Sequence, residues 1–226
     1  MQTKTFYSRN LPHIHPPDTQ LFITFILKDA LPKKVFQKLV EERDLLLRKY
    51  RNENKSFEKY SEYKYKLEKK VFDKIDTLLA KSKTGKHYLK DEKVAAIIKQ
   101  KIEQYNGKRY KLLAYCIMSN HVHLLFDTTG FSEVVEETNT KGKTHKYPVA
   151  DTMKRIKGGS AHEINKLLKL EGQFWQHESY DHYVRDQKEL IRIANYIVLN
   201  PVKAGLIDDW RKWEHTFIEY NLEAEV

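Results

Sequence analysis

The feature that most restricts the fold of this chain is a pair of apolar segments separated by two polar residues. Residues 110–118 (YKLLAYCIM) and 121–126 (HVHLLF) are each long enough for a strand, and Ser119-Asn120 lies between them. A two-residue connection joins antiparallel strands through a tight turn. The spacing therefore predicts a β-hairpin, and with it an antiparallel sheet.

The remaining segments predict further strands and helices. Residues 21–27 (LFITFIL) are typical of a buried strand, and residues 174–176 are expected to form a short one. Apolar residues recur at helical spacing in residues 31–50, 91–102, 150–170 and 187–199. We expect Asp91 to cap the second helix, Gly158-Gly159 to interrupt the third and Pro201 to stop the last.

The order of these elements is strand, helix, hairpin, helix, strand, helix, which indicates an α+β sandwich with a central antiparallel sheet. Residues 51–86 are highly charged and have helical apolar spacing, so we expect a helical insertion there. Polar residues 127–147 predict a long mobile loop. We expect a single domain over residues 1–226 that carries this insertion.

The charge balance favours a polyanionic partner. The chain has 41 lysines and arginines against 31 aspartates and glutamates, a formal net charge of +10. Such an excess promotes nucleic-acid binding through counterion release, although a merely basic protein has the same composition. Residues 48–51, 64–70 and 154–157 are basic stretches that could follow DNA phosphates or simply form solvated helix faces.

Other compositional signals concern compartment and cysteine chemistry. Cys116 is the only cysteine and lies in an apolar run, so we expect a buried thiol and no internal disulfide. The N-terminus has no signal-like apolar stretch, and no segment reaches the roughly 18 consecutive apolar residues of a membrane span. We expect a cytoplasmic protein that does not bind a membrane.

His121 and His123 are the first candidate site residues. Side chains alternate between the faces of a strand, so both imidazoles point to one face and Val122 to the other. Such a pair can bind one divalent ion, and the alternative is two satisfied core or surface histidines.

A second pair, His13 and His15, has the same spacing but a different setting. It lies among Pro12, Pro16 and Pro17, without strand alternation. This composition predicts a polyproline-like arm that packs on the domain. We do not assign this pair as a metal site.

Tyr196 and Asn200 lie on the last helix, outside its apolar face. At about 100° per residue, Tyr196 falls about 110° and Asn200 about 70° from the centre of the face formed by Leu190, Ile193 and Ile197. They are one turn apart, on a side where a cleft could open. The alternative is a half-buried tyrosine and a C-terminal asparagine cap.

Three blocks carry a family resemblance. In order, YCIMSNHVHLLF, FWQHESYDHYVRD and YIVLNPVKAGLI resemble the REP-associated tyrosine transposases, members of the HUH (His-hydrophobic-His) class of single-strand transposases. LPHIHPPDTQLFITFILKDALP is similar to the opening of one branch of that family. The resemblance extends from about residue 11 to 210, with Ser119 where family members usually have proline.

The resemblance implies a ferredoxin-like sandwich with the histidines on a central strand and the tyrosine on a flanking helix. It makes His121 and His123 metal ligands, Asn200 a third polar ligand and Tyr196 the nucleophile. The implied activity is metal-dependent cleavage and transfer of single-stranded, hairpin-associated DNA through a covalent 5′-phosphotyrosine. Mg²⁺ or Mn²⁺ is the expected ion, and no nucleotide cofactor is needed.

Some alternatives stay open at this level. A replication initiator or relaxase of the same class would use the same centre on other DNA. A catalytically decayed DNA-binding protein would retain the charge alone, and a metal-dependent phosphoesterase would use His121 and His123 without Tyr196. The oligomeric state, monomer or homodimer, is also open.

Overall fold

The computed structural model describes residues 6–8, 12–53, 56–82, 85–131 and 148–223. The chain divides into two compact units, residues 29–86 and residues 1–28 with 87–226. The smaller unit begins well before residue 51. That the whole chain is one domain with an insertion at residues 51–86 stays a prediction.

Among the described residues, seven strands lie in the larger unit. They are β1 (Phe6–Ser8), β2 (Pro12–Ile14), β3 (Gln20–Leu27), β4 (Lys111–Ile117), β5 (His121–Asp127), β6 (Trp175–Tyr183) and β7 (Thr216–Ile218). Strands β1 and β2 pair with each other, and the other five form an antiparallel sheet in the order β6-β3-β5-β4-β7. The predicted hairpin of β4 and β5 is confirmed, with the Met118 N–H donating to the His121 carbonyl across the turn (2.9 Å).

The helices of the larger unit lie between and after its strands along the chain. They are α3 (Glu92–Glu103), α4 (Pro148–Leu168), α5 (Gln187–Val198), α6 (Asn200–Lys203) and α7 (Tyr220–Glu223), with short 3-10 turns at Tyr88–Lys90 and Trp210–Lys212. With α3 after β3 and α4 between β5 and β6, the core has the β-α-β-β-α-β order of a ferredoxin-like fold. The predicted α+β sandwich is confirmed. The Asp91 cap is also confirmed, since its carboxylate accepts from the backbone N–H of Lys93 and of Val94.

The two faces of the sheet differ in character. One face is apolar and packs on α4, where Phe25 contacts Trp175 (ring centroids 4.8 Å) and the Trp175 indole donates to Ser160 (3.0 Å). The other face carries polar groups, because Thr24 is in register with His123 and alternates with Phe25. The sheet therefore has a structural side and a side that presents imidazoles.

The smaller unit is a helical hairpin of α1 (Lys33–Glu53) and α2 (Phe57–Lys81). Tyr50 stacks on Tyr63 with 3.9 Å between ring centroids, and Lys74 lies 3.7 Å from Glu42, so the helices run antiparallel. Buried apolar residues recur along both helices: Phe36, Leu39, Leu67, Phe72 and Leu79.

Two predictions of local structure are wrong and one is confirmed. Helix α4 runs through Gly158-Gly159 without a break, because buried Ile156 and Ile164 hold both halves in the core. The predicted end of α5 ahead of Pro201 is confirmed, since α5 ends at Val198 and Pro201 lies in the first turn of the separate helix α6, where its missing N–H has no helical partner to lose. Strand β6 extends to Tyr183 instead of ending at Gln176, because it pairs with β3 along most of its length.

The N-terminal segment also differs from its prediction. Residues 12–14 form strand β2 and not a polyproline-like arm. The predicted loop at residues 127–147 lies mostly outside the described residues, and its described part forms a turn in which the Phe131 N–H donates to the Thr128 carbonyl (3.0 Å). Cys116 is fully buried, as predicted. No helix among the described residues is long and apolar enough to cross a membrane.

Candidate functional site

The two imidazoles on β5 converge. His121 and His123 are fully buried, and their Nε2 atoms lie 3.1 Å apart. Metal–imidazole bonds are about 2.0–2.1 Å long, so two such ligands at right angles around one ion are about 3.0 Å apart. The separation therefore matches that of two imidazoles on one ion.

Neighbouring polar groups orient each ring. The Nδ1 of His121 donates to Asn120 Oδ1 (2.7 Å), and the Nδ1 of His123 lies 2.7 Å from the Thr24 hydroxyl. A proton on Nδ1 leaves the Nε2 lone pair available to a metal, as in many metal sites. With both rings in this tautomer, the two Nε2 lone pairs would face each other and repel unless a cation lay between them, so the donor set fits a divalent ion.

Asn200 joins the pair from another element. Its amide nitrogen lies 3.1 Å from His123 Nε2, and the residue is only 3% exposed. The start of α6 thus places an amide group at the convergence of the imidazoles. The geometry brings Asn200 to the site, and its role as a ligand stays a prediction.

Tyr196 lies beside the histidines. Its ring centroid is 5.4 Å from that of His123 and 6.1 Å from that of Phe22, and its hydroxyl oxygen is shielded from solvent. The ammonium of Lys203 lies 5.0 Å from the Tyr196 ring centroid. Helices α5 and α6 therefore hold a phenol, an amide and a cation around the imidazole pair.

The N-terminal end of α5 is anchored to the sheet. Asp186 caps the helix by accepting from the Glu189 N–H (2.8 Å), and Glu189 accepts from the Arg185 N–H (3.0 Å) and the Arg192 guanidinium (2.8 Å). Glu189 also lies 3.3 Å from His182 on β6. Burial lowers the pKa of His182, although nearby Glu189 acts in the opposite direction.

Other candidate residues are placed elsewhere. His15 is buried with its Nε2 2.7 Å from Asp181, which is in register with Ile23 and so lies on the opposite face of the sheet. The side chain of His13 lies outside the described part of the structure, so the prediction for His13 is not tested. Of the tyrosines on β6, Tyr183 is in register with Leu21 on that opposite face.

Tyr180 is the tyrosine that could rival Tyr196. It is in register with Thr24, and its ring lies 6.1 Å from Phe22 on the face that carries the imidazoles. The position of Tyr180 on this face was hidden from sequence reasoning, which ended β6 too early. Any assignment of Tyr196 as nucleophile therefore needs Tyr180 as its control.

Three residues of the site were missed by sequence reasoning. Thr24 is a polar residue inside the apolar segment LFITFIL, and a buried hydroxyl in such a run is itself a signal. Asn120 was interpreted only as a turn residue. Lys203 lies on the short helix α6 that follows Pro201, where the sequence predicted no helix.

Comparison with known proteins identifies the class to which this fold and site belong. Residues 77–200, more than half of the chain, match the family of IS200-like transposases, and the chain belongs to this family of enzymes that act on DNA. His121, His123, Tyr196 and Asn200 all lie within the matched range.

One curated relative and one solved structure are also similar to this chain. Over 153 residues the chain is 26% identical to a Haemophilus influenzae protein described as a REP-associated tyrosine transposase, covering 66% of this chain and 81% of that protein. A solved structure of a REP-associated tyrosine transposase bound to a REP hairpin aligns with 93% of this chain and 80% of its own, with 13% identity and a TM-score of 0.47.

Proposed function

We propose that this protein cleaves single-stranded DNA and transfers the strand through a covalent bond to Tyr196. The observation that carries the proposal is the position of the Tyr196 ring, 5.4 Å from that of His123 on the face where the two imidazoles converge. This arrangement supports the assignment of Tyr196 as a nucleophile beside a candidate phosphate-activating centre. Membership of a transposase family supports strand transfer over simple hydrolysis.

His121, His123 and Asn200 would hold the divalent ion, and Mg²⁺ and Mn²⁺ are the candidates. When bound, the ion would polarise the scissile phosphate and neutralise charge that develops on it. Imidazole ligands suit Mn²⁺ better than Mg²⁺, which prefers oxygen ligands. Thr24 and Asn120 would keep both rings in the tautomer that presents Nε2.

Tyr196 would carry out the nucleophilic attack on the phosphate. Its phenolic oxygen forms a bond to phosphorus, the bond from phosphorus to the 3′ oxygen breaks, and a free 3′-hydroxyl leaves. The polarity, with tyrosine on the 5′-phosphate, is the one that the family resemblance implies. The phosphodiester energy stays in the covalent link, so attack by another 3′-hydroxyl rejoins DNA without a nucleotide cofactor.

Lys203 would assist the loss of the phenolic proton. A free phenol has a pKa near 10, so attack at neutral pH requires stabilisation of the phenolate. The Lys203 ammonium, 5.0 Å from the ring centroid, supplies positive charge on that side of the ring. A neutral side chain at this position would supply no such charge.

Hairpin-associated single strands are the proposed substrate. The Haemophilus influenzae relative is described as REP-associated, and the resemblance of the three sequence blocks points to the same group. A hairpin presents both paired and unpaired DNA, and unpaired bases can stack on aromatic side chains. DNA from around the gene for this protein is the first substrate to test.

Tyr196→Phe removes one oxygen atom and tests the proposal directly. We expect it to eliminate strand cleavage and the covalent protein–DNA band on a denaturing gel, with DNA affinity nearly unchanged. Tyr180→Phe is the matched control and should retain both. A band that persists in Tyr196→Phe would assign the attack to another tyrosine, and cleavage without a band would indicate a metal-dependent phosphoesterase.

A further inference from the structure

The positive charge of this protein is concentrated in the helical hairpin. Residues 29–86 contain 17 of the 41 lysines and arginines but only 10 of the 31 aspartates and glutamates. About a quarter of the chain therefore carries a formal +7 of the total +10. The remainder, which contains the candidate site, is close to neutral.

The end of the hairpin combines this charge with aromatic rings. We call the described residues 48–53 and 56–66, where α1 ends and α2 begins, the hairpin tip. It contains six basic and three acidic residues, and of the acidic ones Glu62 is paired with Lys66 (2.6 Å). Arg48, Lys49 and Lys59 are exposed at this end.

Phe57 is an aromatic residue of the tip that is almost fully exposed. It occupies the first turn of α2 and is 82% exposed, so folding of the hairpin gains little from its ring. The guanidinium of Arg51 lies 5.8 Å from the ring centroid of Tyr60 in the adjacent helix. The tip thus contains an uncovered ring and, among its other residues, exposed cations.

We propose that the hairpin tip binds single-stranded DNA, through phosphate contacts of Arg48, Arg51 and Lys59 and stacking of a base on Phe57. The inference rests on the proposed function, since it assigns to the hairpin a part of the same DNA substrate. Exposed rings beside basic side chains are how proteins bind unpaired strands, because every base has a stacking face. Duplex DNA buries its bases and would use only the charges.

Phe57 variants test the stacking. Phe57→Ala should weaken binding of a labelled unpaired oligonucleotide by about fivefold or more, as measured by fluorescence anisotropy. Phe57→Leu keeps an apolar side chain without a ring and should behave like alanine, whereas Phe57→Trp should restore affinity. Duplex affinity should stay constant in all three variants.

The charge is tested by two triple variants that remove the same number of cations. Arg48→Gln with Arg51→Gln and Lys59→Gln should lower the slope of log affinity against log salt by about two, given a contribution of about 0.7 per single-strand phosphate contact. Lys33→Gln with Lys34→Gln and Lys38→Gln, at the exposed start of α1, is the control and should leave the slope near that of the wild type.

The outcomes separate this proposal from the proposed function. At saturating DNA the tip variants should still form the covalent band, while Tyr196→Phe should lose the band and keep its affinity. Equal losses in both triple variants, or unchanged affinity in Phe57→Ala, would overturn the role of the tip. So would a change of oligomeric state in Phe57→Ala with unaltered DNA binding, which would make Phe57 a protein contact.

Discussion

Each imidazole of the site has a polar neighbour at its Nδ1 atom, and these two neighbours come from different parts of the chain. Asn120 precedes His121 directly, whereas Thr24 reaches His123 across the pairing of β3 with β5. Loss of either hydrogen bond would release the ring from the tautomer that presents Nε2. The hydroxyl of Thr24 should therefore matter for metal binding although it is not itself a proposed ligand.

Thr24→Val, which removes that hydroxyl and keeps the shape of the side chain, should weaken Mn²⁺ binding by about 10- to 100-fold. The double change His121→Ala with His123→Ala should abolish Mn²⁺ binding and cleavage but leave much of the DNA affinity. Isothermal titration calorimetry measures the first effect. His15→Ala is the control, since His15 lies with Asp181 on the other face of the sheet, and it should bind Mn²⁺ normally.

His182 should make the stability of the protein depend on pH. Burial lowers its pKa in the folded state, so below about pH 6.5 the unfolded chain binds a proton that the folded chain does not. Stability should be lost as the pH falls from about 6.5 toward the folded pKa, by at most about 1.4 kcal/mol per pH unit. Urea unfolding should show that the free energy of unfolding falls less between pH 7.5 and pH 5.5 for His182→Gln than for the wild type. An equal fall in both proteins would refute this role of His182.

At the scale of elements, two glycines have opposite requirements. Gly158 lies inside α4, and a Cβ there would meet nothing within 4 Å. Gly85 has a φ of +96°, and a Cβ there would come within 2.8 Å of the Asp29 carbonyl oxygen. Gly158 is not required by the helix and adds flexibility to the unfolded chain. Gly85 is required, because its positive φ disfavours any residue with a side chain.

Gly158→Ala should raise the free energy of unfolding by about 0.5–1 kcal/mol, because alanine favours the helix. Gly85→Ala should lower it, through both the positive φ and the clash. Urea denaturation of the two variants beside the wild type measures both changes. A destabilised Gly158→Ala protein would mean that α4 needs the break that sequence reasoning placed there.

At the scale of the whole molecule, the charge and the candidate chemistry lie in different compact units. The imidazole pair, Asn200 and Tyr196 belong to the sheet unit, while most of the positive excess belongs to the hairpin of α1 and α2. Affinity for DNA and cleavage of DNA should therefore be separable by mutation. A sequence-wide net charge could not reveal this division, because it averages over both units.

Features that depend on neighbours along the chain were predictable from the amino-acid pattern. Alternation within a strand put His121 and His123 on one face, and the two-residue turn set the pairing of β4 with β5. The Asp91 cap was equally readable, since its partners lie two and three residues away. The family resemblance rests on such local blocks as well.

Features that depend on distant partners became visible in the folded chain alone. Thr24 and His123 are 99 residues apart, and Asn200 and His123 are 77 apart, so no local pattern joins them. The length of β6 and the continuity of α4 were likewise set by packing, which outweighs the weak preference of individual residues. The periodicity of apolar residues predicts which face of a helix or strand is buried. The packing of the helices and strands determines which side chains meet at a site.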